Sequence, residues 1–183
     1  MASIGELGTP RESALLVPVK AAEGTVDPLR QKLDPSSGLG MPAHITVLYP
    51  FAPPVSITES FAQRLGDLFG RAKPFDFSLS EIGWFDKRVM YLTPTPGAPF
   101  VDLTARIAAE FPEYPPYGGR FDEIIPHLTI GEGARPGRMR RAGHRLESLL
   151  PISAVASEVW LMAPEPSGRW GVRQRFTLGR SHL

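Results

Sequence analysis

The chain has 183 residues, of which 42% are hydrophobic and 21% charged, with a formal net charge of +1, the profile of one ordinary globular domain. A near-neutral balance argues against a protein that coats nucleic acid non-specifically. Cysteine is absent, which excludes disulfides, thiolate metal sites and a cysteine nucleophile.

Met1 to Glu12 lacks an apolar signal core, and no apolar run approaches the roughly 20 residues of a membrane span. The expected location is cytoplasmic, with residues 1–12 a flexible N-terminus and 13–183 a single domain. Residues 13–20 (Ser-Ala-Leu-Leu-Val-Pro-Val-Lys) predict a first strand, and Pro18 places it near an edge or bulge. Asp27-Pro28 predicts a helix start, with Asp as N-cap and Pro at the first helical position; the helix ends near Asp34-Pro35. A Ser/Gly/Pro loop over 36–43 then delivers a strand from His44 to about Phe51.

Ser56 and Glu59 have capping-box spacing, and Ile57, Phe61, Leu65, Leu68 and Phe69 form the apolar stripe of the helix that follows. Strands over 75–85 and 88–93 are joined through Asp86-Lys87 as a hairpin. Phe100, Leu103, Ile107 and Phe111 mark another amphipathic helix. Residues 112–126 are too rich in Pro and Gly for a regular element, and a loop of that length is often functional. It leads into a strand at His127, a helix over about 136–150, and two closing strands near 153–163 and 170–178. Motif strand, helix and two strands thus occur twice. The pattern predicts an α+β fold, bilobal, with two pseudo-symmetric antiparallel-sheet lobes and flanking helices around a central groove.

The repeated phrase is the strongest functional signal. Residues 42–47 read Pro-Ala-His-Ile-Thr-Val and 126–130 read Pro-His-Leu-Thr-Ile. On a strand, residues i and i+2 share a face, so His44 projects with Thr46, and His127 with Thr129. Ile45, Val47, Leu128 and Ile130 project into the core. A pseudo-twofold relation brings the two pairs face to face. Two imidazoles across a cleft can serve as base and acid near pH 7, and threonine hydroxyls beside them can donate to non-bridging phosphate oxygens. A single such tetrad is an ordinary structural feature; the duplication in matching context gives it weight. A zinc site would need a third ligand, and none accompanies the pair.

These residues resemble a known family. His44-Ile-Thr46-Val and His127-Leu-Thr129-Ile are similar to the paired His-x-Thr-x signatures of the 2H phosphoesterase superfamily, in its bacterial 2′-5′ RNA ligase-like, cyclic phosphodiesterase branch. The likeness extends over about residues 13–178. It implies a metal-independent enzyme, without cofactor, that hydrolyses 2′,3′-cyclic phosphates of RNA ends or nucleotides. His44 and His127 would be the acid–base pair, and Thr46 and Thr129 the phosphate ligands. Alternatives are a 2′-5′ RNA ligase acting on the same linkage, or a nucleotide- or RNA-binding module without turnover. No membrane and no obligate protein partner is implied. One departure is Gly131-Glu132-Gly133, where many ligase-like members carry a basic residue; it argues against a long RNA running past that edge.

Among residues that could contact substrate, Tyr49, Tyr117 and Arg120 are the expected set. Gly118-Gly119 makes the Tyr117 loop adaptable. Phe51, Tyr114, Trp84 and Trp170 read more simply as core or rim. Arg138, Arg141 and Arg145 share one helix face, expected to be a solvated one, with His144 exposed beside them and His182 in a frayed terminus.

Overall fold

The computed structural model describes residues 12–120 and 123–179. The expected flexible N-terminus (but for Glu12) and the reading of His182 lie outside the described residues, as do Phe121 and Asp122 of the long loop.

Among the described residues, eight strands form two four-stranded, wholly antiparallel sheets, with helices packed against them. The first sheet has the order β2-β1-β7-β8, from β1 (Ser13–Pro18), β2 (His44–Phe51), β7 (Glu158–Pro164) and β8 (Trp170–Thr177). The second has the order β5-β4-β3-β6, from β3 (Phe75–Phe85), β4 (Val89–Thr95), β5 (Leu128–Glu132) and β6 (Ile152–Ala156). Each motif strand, β2 or β5, is an edge strand of its own sheet. The hairpin that follows each motif strand crosses to the other sheet: β3–β4 joins β5, and β7–β8 joins β2. The two halves of the sequence are therefore interleaved in space, and each lobe needs strands from both.

β1 is buried throughout because both of its faces are covered, and its one polar side chain, Ser13, donates to the Ala52 carbonyl at 2.7 Å. Leu15 and Val17 enter the main core, while Ala14 and Leu16 enter a smaller cluster with Met41, Tyr49, Trp160, Met162 and Trp170. Of the edge or bulge expected from Pro18, the edge is not found: β1 is a central strand, with its register shifts against β2 lying between Ser13 and Leu16. Pro18 is tolerated because pairing with β7 ends at Leu16, so Pro18 has only His44 of β2 opposite.

The first helix is also longer than predicted. α1 spans Lys20–Leu33 and carries Pro28 inside it, not at its start. Ala22, Val26, Arg30 and Leu33 form its buried stripe, and that burial offsets the cost of an internal proline, about 3 kcal/mol. The ring of Pro28 meets the carbonyl of residue i−4, here Gly24, an exposed glycine with open space around it. Asp27 caps nothing; it accepts a hydrogen bond from Arg30 at 3.1 Å. Asp34 is the true cap, accepting from the Ser36 amide to start the short α2 (Pro35–Gly38).

α3 (Glu59–Gly70) is capped by Thr58, whose hydroxyl accepts from the Phe61 amide at 3.2 Å, and not by Ser56, which ends a 3₁₀ turn over 54–56. α4 (Ala98–Glu110) buries Phe100, Leu103 and Ile107 of its predicted stripe, and α5 (Pro136–Glu147) ends about three residues before the expected end. The β3–β4 turn holds Asp86 and Lys87 at φ of 48° and 56°, the pair of left-handed residues that a two-residue hairpin requires. The segment predicted as one strand over 153–163 is two, broken at Ser157. β6 has alternating burial and pairs with β3, whereas β7 pairs with β1 and β8. No glycine or proline marks that break. In the long loop, the only regular element among the described residues is a 3₁₀ turn over 116–119.

Candidate active site

The first tetrad lies on the edge strand β2 and the second on the edge strand β5, except for His127, which immediately precedes β5; both turn their aliphatic residues inward. Ile45, Leu128 and Ile130 are fully buried in the main core, and Val47 nearly so. The opposite face carries the polar residues. His44 lies across from Pro18 and Thr46 across from Leu16; Thr129 lies across from Tyr91. β2 and β5 approach each other closely, though they belong to different sheets.

The two imidazoles are oriented by the same device. His44 Nδ1 lies 2.7 Å from the carbonyl of Pro42, and His127 Nδ1 lies 2.7 Å from the carbonyl of Ile125. A carbonyl can only accept, so each ring holds its proton on Nδ1, which leaves the neutral ring's lone pair on Nε2. In both cases the partner is two residues upstream, so the equivalence of the tetrads extends to the backbone before them.

Burial keeps both rings from charging. Burial of His44, reinforced by the Arg30 guanidinium and by His127, pulls its pKa from 6.5 to about 4, against the Pro42 hydrogen bond and the Asp34 carboxylate. The His127 pKa is also lowered by burial, against the Ile125 hydrogen bond. That a charge on His127 is felt at His44 places the rings in one electrostatic environment. Both histidines are therefore neutral at pH 7 in the free protein. An anion between them would reverse part of that shift by stabilising imidazolium.

A buried ion pair underlies the His44 side. Arg30 is 1% exposed. It donates to Asp34 Oδ2 through Nε at 3.2 Å and Nη2 at 2.9 Å, and to the Met41 carbonyl at 3.1 Å. Asp34 also accepts from the Ser36 amide and hydroxyl. These bonds fix the segment from Asp34 to Met41, whose next residue supplies the carbonyl that orients His44. Sequence reasoning missed this clamp. Its signal is an arginine in the buried stripe of α1 with aspartates three residues before and four after.

Aromatic rings hold the His127 side. Phe85 stacks on Tyr91 at 4.2 Å between centroids, and His127 meets Phe85 edge-on at 5.0 Å and Tyr91 at 5.3 Å. Tyr91 can lie there because its cross-strand partner is Gly83; a Cβ at Gly83 would overlap the tyrosine ring. Thr46 and Thr129 are half-buried, and among the described residues neither side chain makes a hydrogen bond.

The other expected contact residues divide. Tyr49 is 3% exposed in the smaller apolar cluster, edge-on to Trp170, and its hydroxyl donates to Glu12 at 3.0 Å. It is a core residue, a correction to its expected role in binding substrate. Tyr117 is half-buried in the 3₁₀ turn that packs against β2, at φ 52°, with burial raising its phenol pKa to about 12. Arg120 is exposed at the end of that turn. Phe51 and Trp170 are buried and Tyr114 is partly so, packed on Phe51 at 5.3 Å. Trp84 is exposed at the rim.

Gly131 and Gly133 have structural reasons to be glycine. A Cβ at Gly131 would stand 2.8 Å from Leu33 Cβ, so α1 packs against the bare backbone of β5, and Gly133 turns at φ 64°. Among the described residues there is no group of three or more His, Cys, Asp or Glu placed to hold a metal ion, and no helix is long and apolar enough to cross a membrane.

Two antiparallel sheets with flanking helices and a His-x-Thr pair on adjacent edge strands define a two-lobed α+β fold of the 2H phosphoesterase kind. The chain belongs to the 2′-5′ RNA ligase superfamily, whose family model matches residues 17–167. It is similar to a Bacillus cereus (strain G9842) protein called "Putative phosphoesterase", 27% identical over 184 residues, covering 92% of this chain and 96% of that one. A Bacillus anthracis protein of the same description is 26% identical, covering 92% and 96%. Among solved structures, E. coli LigT in apo form superposes with a TM-score of 0.61 at 19% identity, covering 93% of this chain and 99% of that one. LigT complexed with 3′-AMP gives 0.57 at 20% identity, covering 94% and 100%. TT0787 of Thermus thermophilus gives 0.60 at 18% identity, covering 93% and 100%. At such identities the structural likeness speaks for the fold.

Proposed function

We propose that the protein is a metal-independent phosphoesterase that opens 2′,3′-cyclic phosphates of nucleotides or RNA ends by two-histidine acid–base catalysis. The observation that carries this reading is the matched pair of Nδ1 hydrogen bonds, which leaves an Nε2 free for chemistry at the head of each of two neighbouring edge strands. Membership of the superfamily supports the class of reaction, and LigT, a relative in fold, has been crystallised with 3′-AMP.

The phosphate anion offsets the burial that keeps the rings neutral, so one Nε2 takes up a proton as substrate binds. The neutral histidine accepts a proton from water at Nε2 while the water oxygen bonds to phosphorus. The bond from phosphorus to one ribose oxygen breaks, and the protonated histidine delivers its Nε2 proton to that oxygen. The product is a ribose phosphomonoester with a free neighbouring hydroxyl. Thr46 and Thr129 donate to the non-bridging oxygens as charge builds on them. The two rings have then exchanged protonation states, and proton exchange with solvent restores the pair.

The test is conversion of 2′,3′-cyclic AMP to the monophosphate in the presence of EDTA. His44→Ala and His127→Ala should each lower the rate by about 10²–10⁴-fold, the usual contribution of one acid–base group. Full activity in either variant, or abolition by the chelator, would refute the mechanism. The family's description favours one second reading, joining of RNA ends through the same linkage. A 2′-5′-linked product from cyclic-ended and 5′-hydroxyl RNA would support it.

A further inference from the structure

Charge is concentrated in one place that the groove does not use. Arg135, Arg138, Arg140, Arg141 and Arg145 fall within eleven residues that contain no Asp or Glu, although the whole chain is only +1. The other 15 basic side chains are outnumbered by 19 acidic ones, so the remainder of the molecule is net negative. All five arginines are exposed at the start of α5 or along it. Among the described residues, Lys32 and these five arginines form no ion pair. The nearest ion pair on the helix joins His144 to Glu147 at its end.

The patch has shape as well as charge. Arg138, Arg141 and Arg145 share a helix face and line a cleft of about 180 Å³ between α5 and α1, whose α1 wall is formed by Leu29, Lys32 and Leu33. That volume equals roughly six waters, room for a phosphate group. The three arginines span about 10 Å along the helix at 1.5 Å per residue, so more than one phosphate of an extended strand is within reach. Like charges facing one another across a cleft repel unless an anion lies between them.

We infer that this α1–α5 face binds the phosphate backbone of a polynucleotide, as a second surface apart from the groove. Arginine suits the task through its planar, bidentate donors. A lipid surface suits it less. Membrane-lying helices need a free apolar face, and the apolar residues of α5 (Met139, Ala142 and Leu146) are already buried in the core. Taking RNA as the strand rests on the function proposed above; the phosphate chemistry of the patch does not.

The experiment measures affinity for a single-stranded RNA ending in a 3′-hydroxyl, which carries no cyclic phosphate, over a range of salt. Each arginine released from a phosphate lowers the slope of log affinity against log salt by about 0.7. R138Q/R141Q/R145Q should bind at least tenfold more weakly with a slope reduced by about 2, and K32Q should reduce it by about 0.7. Unchanged affinity and slope in both variants would overturn the inference, as would binding of the wild type to phosphatidylserine vesicles without binding to RNA. Loss of cyclic-nucleotide turnover with RNA binding intact would count against the proposed function alone.

Discussion

Replacing His44 with asparagine tests whether the imidazole is held neutral by its surroundings. Asparagine can keep a donor near the Nδ1 position for the Pro42 carbonyl but cannot be protonated. In the folded protein His44 titrates near 4 rather than 6.5, so the folded state resists its protonation while the unfolded state does not. The stability that depends on a neutral His44 is complete above pH 6.5 and is lost as pH falls towards 4. At pH 4.5 the unfolded chain gains roughly 2–3 kcal/mol from protonating this one residue. Urea unfolding at pH 7 and pH 4.5 reads the difference directly. At an m of about 2 kcal/mol/M, the wild-type midpoint should fall by roughly 1 M more than that of His44→Asn over this interval. Titrating groups away from the site are common to both proteins and cancel; His127, whose charge is felt at His44, is the exception. Equal losses in the two proteins would show that His44 protonates as freely folded as unfolded, and the electrostatic account of the site would be wrong.

Because both histidine pKa values lie below the ordinary value in the free protein, the kcat/KM profile for a cyclic nucleotide should be a bell with its optimum on the acid side of pH 6.5. The kcat optimum should lie higher, since bound phosphate favours imidazolium; coincident optima would count against the proposed proton uptake. Thr46→Val and Thr129→Val should each lower kcat/KM by about 10²–10³-fold, the cost of one donor to a developing oxyanion, with unfolding midpoints within about 0.5 kcal/mol of wild type. Gly83→Ala should push Tyr91 off its strand partner, costing about 1–3 kcal/mol in stability and moving the His127 imidazole resonances in NMR; unaltered resonances would show that the aromatic contact does not position the ring. Arg30→Ala strands the Asp34 carboxylate in the core and should cost about 3–5 kcal/mol by thermal unfolding.

The parts of the fold that could be read from sequence are those where local pattern and tertiary demand agree. α4 shows this in Phe100, Leu103 and Ile107, and the β3–β4 hairpin in Asp86-Lys87. Misreadings arose where a local signal was overruled by packing. Asp27-Pro28 has the chemistry of a helix start, yet the stripe Ala22, Val26, Arg30 and Leu33 carries α1 straight through it. Pro18 has the chemistry of an edge, yet it stands where one of the two neighbouring ladders has already ended. The break at Ser157 has no local signal. It exists because β6 and β7 belong to different sheets, and a change of sheet is decided by partners far away in sequence.

The candidate site divides along the same line. The tetrads were legible because strand alternation fixes which residues share a face, and because the phrase occurs twice. What governs the two histidines was not legible, since it comes from elsewhere in the chain: the Pro42 carbonyl held by Arg30 and Asp34 on one side, and Phe85 and Tyr91 over Gly83 on the other. Tyr49 shows the converse. It follows the first tetrad by sequence and shares its face of β2, but the smaller apolar cluster claims its ring and Glu12 its hydroxyl. The two half-sites therefore repeat in their reacting atoms and differ in their supports. His44 is set by a buried ion pair, while His127 is set by aromatic edges. A repeated sequence phrase thus places two chemically identical residues, both resisting charge through burial, in surroundings of different make.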